Sequence, residues 1–83
     1  MASYSVAIGE TAASDLLTVP FPFRRQINQR IMKLKTNPRP PAAELVVEKN
    51  ERHALDVAGW RILYEIDDEA RLVRIVNIDK APS

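Results

Sequence analysis

"GWRILYEIDD", residues 59–68, reads as one half-buried strand. Trp60, Ile62, Tyr64 and Ile66 recur at every second position, and successive strand side chains point to opposite faces. Just upstream, "AG" at 58–59 is a plausible tight turn, because glycine tolerates the positive φ that hairpin turns need. Before that turn, "HALDV" (53–57) sets His53, Leu55 and Val57 on one face and Ala54 and Asp56 on the other. After it, the polar "DDEA" (67–70) leads into "RLVRIVNID" (71–79), a run rich in β-branched residues. Strands joined by turns this short predict an antiparallel meander. Arg61 falls on the face opposite Trp60, so it is either a surface charge on an ordinary strand or part of a site.

The upstream half reads differently. "SYSVAI" (3–8) alternates Tyr4, Val6 and Ile8, which predicts a first strand ended by Gly9. "ETAASDLLTV" (10–19) places Ala12, Ala13, Leu16 and Leu17 at helical spacing, with Thr11 as a candidate N-cap. A second helix is expected to begin near Pro22, where proline's missing N–H costs nothing. Its apolar line is Phe23, Ile27, Ile31 and Leu34, and it stops before "NPRPP" (37–41). "AELVVE" (43–48) is a weak strand or an extended connection. The order predicts one two-layer α+β domain over 1–83, β-α-α-β-β-β. The sheet is expected to be antiparallel, with both helices packed on one face and the other face partly open.

An 83-residue chain supports one domain rather than two. Such a domain buries only a little more than ~60% of its unfolded surface, so a deep cavity is not expected. Cysteine is absent and His53 is the one histidine, which removes disulfides, thiolate metal sites and a histidine-based metal cluster from consideration. No metal or cofactor is implied. The start "MASYSVAIG" carries no signal-peptide pattern, and no run approaches the roughly 20 apolar residues of a membrane span. A soluble cytoplasmic protein is the expectation.

Net charge is only +1, but it is unevenly spread. Residues 20–41 hold Arg24, Arg25, Arg30, Lys33, Lys35 and Arg39 and no acid, while both flanks are net acidic. A concentrated basic block suits nucleic acid or an acidic protein partner, and equally a solvated helix face. For the binding reading, Arg24, Arg25, Arg30, Lys33 and Lys35 are the candidate phosphate contacts, and their binding would weaken with salt.

Taken together, these stretches resemble the RelE/ParE toxin superfamily of bacterial toxin–antitoxin modules. Gly59-Trp60-Arg61 matches the glycine-aromatic-arginine at the end of that family's hairpin, and Tyr64 through Asp67 continues the strand that follows. "MKLKTNPRP" resembles the end of its second helix, and "YSVAIGETAASDLLTVP" its first strand and helix. The resemblance spans nearly the whole chain. It implies the α+β fold, a cognate antitoxin as partner, and a RelE-like activity as the expectation, with a ParE-like activity or a degenerate binding module as the alternatives. A RelE-like toxin inhibits translation by binding the ribosome and messenger RNA and, when active, cuts the message as an endoribonuclease (mRNA interferase). A ParE-like toxin inhibits DNA gyrase. A catalytically degenerate member is a binding module only.

Cleavage of that kind needs guanidinium or ammonium groups aimed at a phosphate on which negative charge develops, with an acid and a base to move protons. The resemblance assigns Arg61 to the phosphate and allows Arg52, His53 and Lys80 as the other catalytic candidates; His53 could shuttle protons near neutral pH. Where the family pattern places further bases, this chain has Ala54, Asp56 and Ala81. The alternative for Arg61 is a strand arginine paired to Glu65 or Asp56. The alternative for His53 is an exposed strand histidine. Trp60 and Tyr64 share a face with Ile62 and Ile66, which argues for core packing over base stacking.

Overall fold

A computed structural model describes residues 3–82. The elements run β1 (Ser5–Ile8), α1 (Glu10–Thr18), α2 (Phe21–Lys33), β2 (Glu44–Val47), β3 (Arg52–Val57), β4 (Trp60–Asp67) and β5 (Leu72–Lys80). The strands form one sheet in the order β1-β5-β4-β3-β2. The expected two-layer α+β arrangement is present, with α1 packed on β5 and α2 reaching β3.

The sheet is mixed rather than wholly antiparallel, because β1 pairs parallel to β5. Short turns dictate antiparallel neighbours only for strands joined directly. β1 reaches its neighbour through both helices and three further strands, so no turn constrained its direction. "ELVV" of the ambiguous 43–48 stretch is a true edge strand, paired antiparallel to β3.

α1 starts from Gly9 rather than from a Thr11 cap, and Glu10 sits in the first turn, where a negative charge meets the positive end of the helix dipole. Gly9 sits in tight space: a Cβ there would lie 3.1 Å from the Ile75 carbonyl oxygen, which already accepts the Gly9 N–H at 3.0 Å. At the C-terminal end of α1, Arg24 Nη2 donates to the carbonyls of Leu17 (3.2 Å) and Val19 (3.1 Å). A cation is favourable at that helix end.

The core is built from Ala12, Leu16 and Val19 at α1, Ile27, Ile31 and Leu34 at α2, and Leu55, Val57, Ile62, Tyr64, Ile66, Val73, Ile75 and Ile78 from the sheet. Burying each large aliphatic side chain contributes roughly 1.5–3 kcal/mol. Phe23, expected on the α2 core line, is instead 40% exposed. Pro20 is the N-cap, so Phe23 lies in the first turn, and Val19 ahead of the helix fills the core there.

The β3–β4 hairpin turns on Ala58 (φ 54°) and Gly59 (φ 86°), both left-handed, as a two-residue turn that follows the strand twist requires. No heavy atom lies within 4 Å of a Cβ built on Gly59, so its role is conformational rather than spatial. Between β4 and β5 the register slips by one: Leu63 faces Asn77 while Tyr64 faces Ile75. Val76 is the extra residue of a bulge, and the slip lets Ile75 and Ile78, three apart, both enter the core. The Asp15 carboxylate accepts the Ile78 N–H at 2.9 Å, fastening α1 to β5 beside the bulge.

Candidate nucleic-acid interface

Strand alternation and register decide where the candidate residues point. β3 and β4 pair with Arg52 opposite Glu65, Ala54 opposite Leu63 and Asp56 opposite Arg61. These residues occupy the face away from the helices, so Arg61 and Arg52 share the open face. His53 and Lys80 lie on the other: His53 faces Tyr64, and Lys80 faces Trp60 at the sheet end. The four catalytic candidates are therefore split two and two across the sheet.

His53 is buried rather than exposed. Its ring stacks on Tyr64 with centroids 5.5 Å apart and planes 17° off parallel. Nδ1 lies 3.2 Å from the Glu51 carbonyl oxygen, which can only accept, so a hydrogen bond there places the proton on Nδ1. Tyr64 is wholly buried, as its alternation predicted, and its hydroxyl donates to the Pro38 carbonyl at 2.7 Å. Burial pushes the Tyr64 pKa up to about 12. Trp60 is half-buried against the same core.

Arg61 and Arg52 are each engaged by a carboxylate, while Arg74, exposed on the same face opposite Glu65, makes no ion pair among the described residues. Arg61 Nε donates to Asp56 Oδ1 at 2.8 Å and its Nη2 to Oδ2 at 3.1 Å, a two-pronged pair directly across the strands. The pair holds the Asp56 carboxyl below its usual range and the Arg61 guanidinium above its own. Arg52 Nη2 donates to Glu65 Oε2 at 2.7 Å. On the far side of Arg61 in register stands Asp79, which accepts from Asn77 Nδ2 at 3.0 Å. The sheet face presents alternating charges rather than a uniform basic surface.

The α2 cations are differently placed. Arg24 is spent on the end of α1, and its Nε is buried without a partner. Arg25 and Lys33 are exposed, while Arg30 and Lys35 are half-buried. Phe21, Asn28 and Met32 run up the outer side of the helix between them, lining an open groove of about 560 Å³ with Arg24, Arg25, Gln29 and Lys33. Phe21 is 72% and Met32 52% exposed. The α2 apolar line in the sequence did not include this stripe; a Phe and a Met off that line, at compatible helical spacing, were the signal available.

The turns at one end of the sheet are acidic. A cleft of about 500 Å³ at the β2–β3 and β4–β5 turns is lined by Glu48, Glu51, Glu65, Asp67, Asp68 and Glu69, among others. Part of that charge is answered by Arg39, which leaves the basic block to join four segments. Its Nε and Nη2 donate to Glu51, both at 2.7 Å, and Nη2 also reaches Asp68 at 2.8 Å. Asp68 in turn accepts from the Tyr4 hydroxyl, and the Arg39 contact holds its carboxyl below the usual range. Negative potential at this end disfavours a phosphate backbone.

Comparison with known proteins places this arrangement. No protein-family model matches the chain, and no curated protein matches it. Solved structures do. The RelBE2 toxin–antitoxin complex from Mycobacterium tuberculosis is similar at 23% identity and a TM-score of 0.82, over 95% of this chain and 99% of that one. The isolated RelE toxin of E. coli is similar at 20% identity and 0.83, over 98% of this chain and 87% of that one. The archaeal RelE–RelB complex from Pyrococcus horikoshii OT3 is similar at 14% identity and 0.81, over 94% of each. Sheet, helices and hairpin all take part in these superpositions, and this chain has the RelE toxin fold.

Proposed function

We propose that the protein is the toxin of a RelE-like toxin–antitoxin pair, acting in the cytoplasm by binding RNA on the ribosome and neutralised by a cognate antitoxin. The observation that carries this reading is the RelE toxin fold with Arg61 kept on the open sheet face. Arg25, Arg30 and Lys33 from α2, and Lys35 just beyond it, supply sequence-independent attraction for phosphates. Among the described residues, no helix is long and apolar enough to cross a membrane.

Occupancy of the ribosome, rather than cleavage of the message, is the mode the side chains support. An in-line attack by a 2′-hydroxyl needs the phosphate clamp and the proton-transfer groups converging on one phosphodiester. Here Arg61 and Arg52 lie on one face, and His53, buried against Tyr64, and Lys80 on the other.

Purified protein added to a cell-free translation reaction tests this. The expected result is a dose-dependent loss of product with messages still full length by primer extension, reversed by the antitoxin. Unchanged product overturns the toxin reading. Messages cut at the ribosome overturn the occupancy mode. Inhibition of gyrase supercoiling with translation intact would move the target to DNA.

A further inference from the structure

Arg61 is positioned to meet phosphate, yet its guanidinium is already gripped. Asp56 takes two of its N–H donors, at 2.8 and 3.1 Å. The two non-bridging oxygens of a phosphodiester offer the same two-acceptor fork to an arginine as a carboxylate does. The two therefore compete for the same donors. The pair is also not a chance meeting of long side chains, because Asp56 and Arg61 are direct cross-strand partners beside the hairpin turn. Asp79 stands on the other side of Arg61 in register, bound to Asn77 rather than to the guanidinium.

We propose that Asp56 is an intramolecular competitor that sets the affinity of the open sheet face for RNA, so that a phosphodiester binds there by displacing the Asp56 carboxylate from Arg61. Asp56 is a positioning residue in this scheme: it touches Arg61, and the phosphate takes its place. The inference rests on the RNA-binding reading above and adds to it the group that limits it. It also separates the two basic surfaces. Among the described residues, Arg25, Arg30 and Lys33 of α2 have no carboxylate within ion-pair distance, whereas the contribution of Arg61 is held back until the carboxylate leaves.

The test is the affinity of a labelled single-stranded RNA oligonucleotide by fluorescence anisotropy, at several salt concentrations. Asp56→Asn keeps the shape of the side chain and removes its charge. It is expected to tighten binding about three- to fivefold, the scale of an exposed ion pair, and to steepen the salt dependence by about one phosphate contact. Arg61→Ala alone is expected to weaken binding, and in that background Asp56→Asn is expected to give only the smaller gain of removing one charge from the row. Asp79→Asn removes an equal charge from the same row without touching the pair, and is expected to give a smaller gain that persists in the Arg61→Ala background. Circular dichroism of each variant confirms that it is folded.

Equal gains from Asp56→Asn with and without Arg61→Ala overturn the proposal, since net charge would then explain the effect. So does an Asp79→Asn gain as large as that of Asp56→Asn, and so does an absence of RNA binding by every variant. The cell-free translation result decides the toxin reading separately: inhibition with no Asp56 effect removes this inference and leaves that reading standing.

Discussion

Tyr64 shows how one side chain ties the core to a loop. Its ring lies among Ile62, Ile66 and the stacked His53, while its hydroxyl reaches the Pro38 carbonyl beyond α2. Tyr64→Phe keeps the ring and leaves that buried carbonyl without its donor. The expected cost is about 1–2 kcal/mol, read in urea as a lower midpoint with an unchanged slope. The same residue predicts behaviour in alkali. Burial raises its pKa from 10.0 to about 12, so the folded state holds the phenol proton more tightly than the unfolded chain does. The stabilisation from that difference is complete below pH 10 and is lost as pH rises through the folded value. Melting temperature is therefore expected to fall over that range, and Tyr64→Phe to lose most of the dependence. Tyr4, whose hydroxyl Asp68 also holds above its ordinary value, adds a contribution of the same sign.

Among the elements, the β3–β4 hairpin combines a well-marked pair of strands with an ill-fitting turn residue. Ala58 sits at φ 54°, where its Cβ crowds the following carbonyl. Ala58→Gly removes that strain and is expected to stabilise the protein by about 0.5–1 kcal/mol, with part of the gain offset by the greater freedom of glycine in the unfolded chain. The hairpin strands were legible in the sequence because a period of two over Trp60–Ile66 leaves little choice of register. The Val76 bulge was not: Ile75-Val76-Asn77-Ile78 is compatible with plain alternation, and the slip is decided by how Ile75 and Ile78 both fit under α1. The first turn of α2 was misassigned for a similar reason, since periodicity cannot tell whether Val19 or Phe23 fills the core at its start. At the site, the residue identities were readable and so was Asp56 as a partner for Arg61. The burial of His53 was not, because an aromatic neighbour on the adjacent strand decides it.

Across the whole molecule, charge is sorted by end and face. The outer side of α2 is basic around an apolar stripe, the sheet face mixes two ion pairs with Arg74 and Asp79, and the β-turn end is acidic. Replacing Arg25 and Lys33 together by Glu alters two exposed positions with no core contact. Stability is expected to stay within about 1 kcal/mol, while RNA affinity falls by at least tenfold at low salt and its salt slope flattens. Calorimetry and anisotropy on the same preparation check the two halves of that statement. The strand order carries a consequence of a different kind. β5 lies between β1 and β4 and brings Val73, Ile75 and Ile78 to the core, so the earliest strand to leave the ribosome has no neighbour until the last one follows. Loop closure over such a span is slow, and α1 has no β5 to pack on until then. Newly made chains thus cannot complete the fold while residues 72–80 are still inside the exit tunnel.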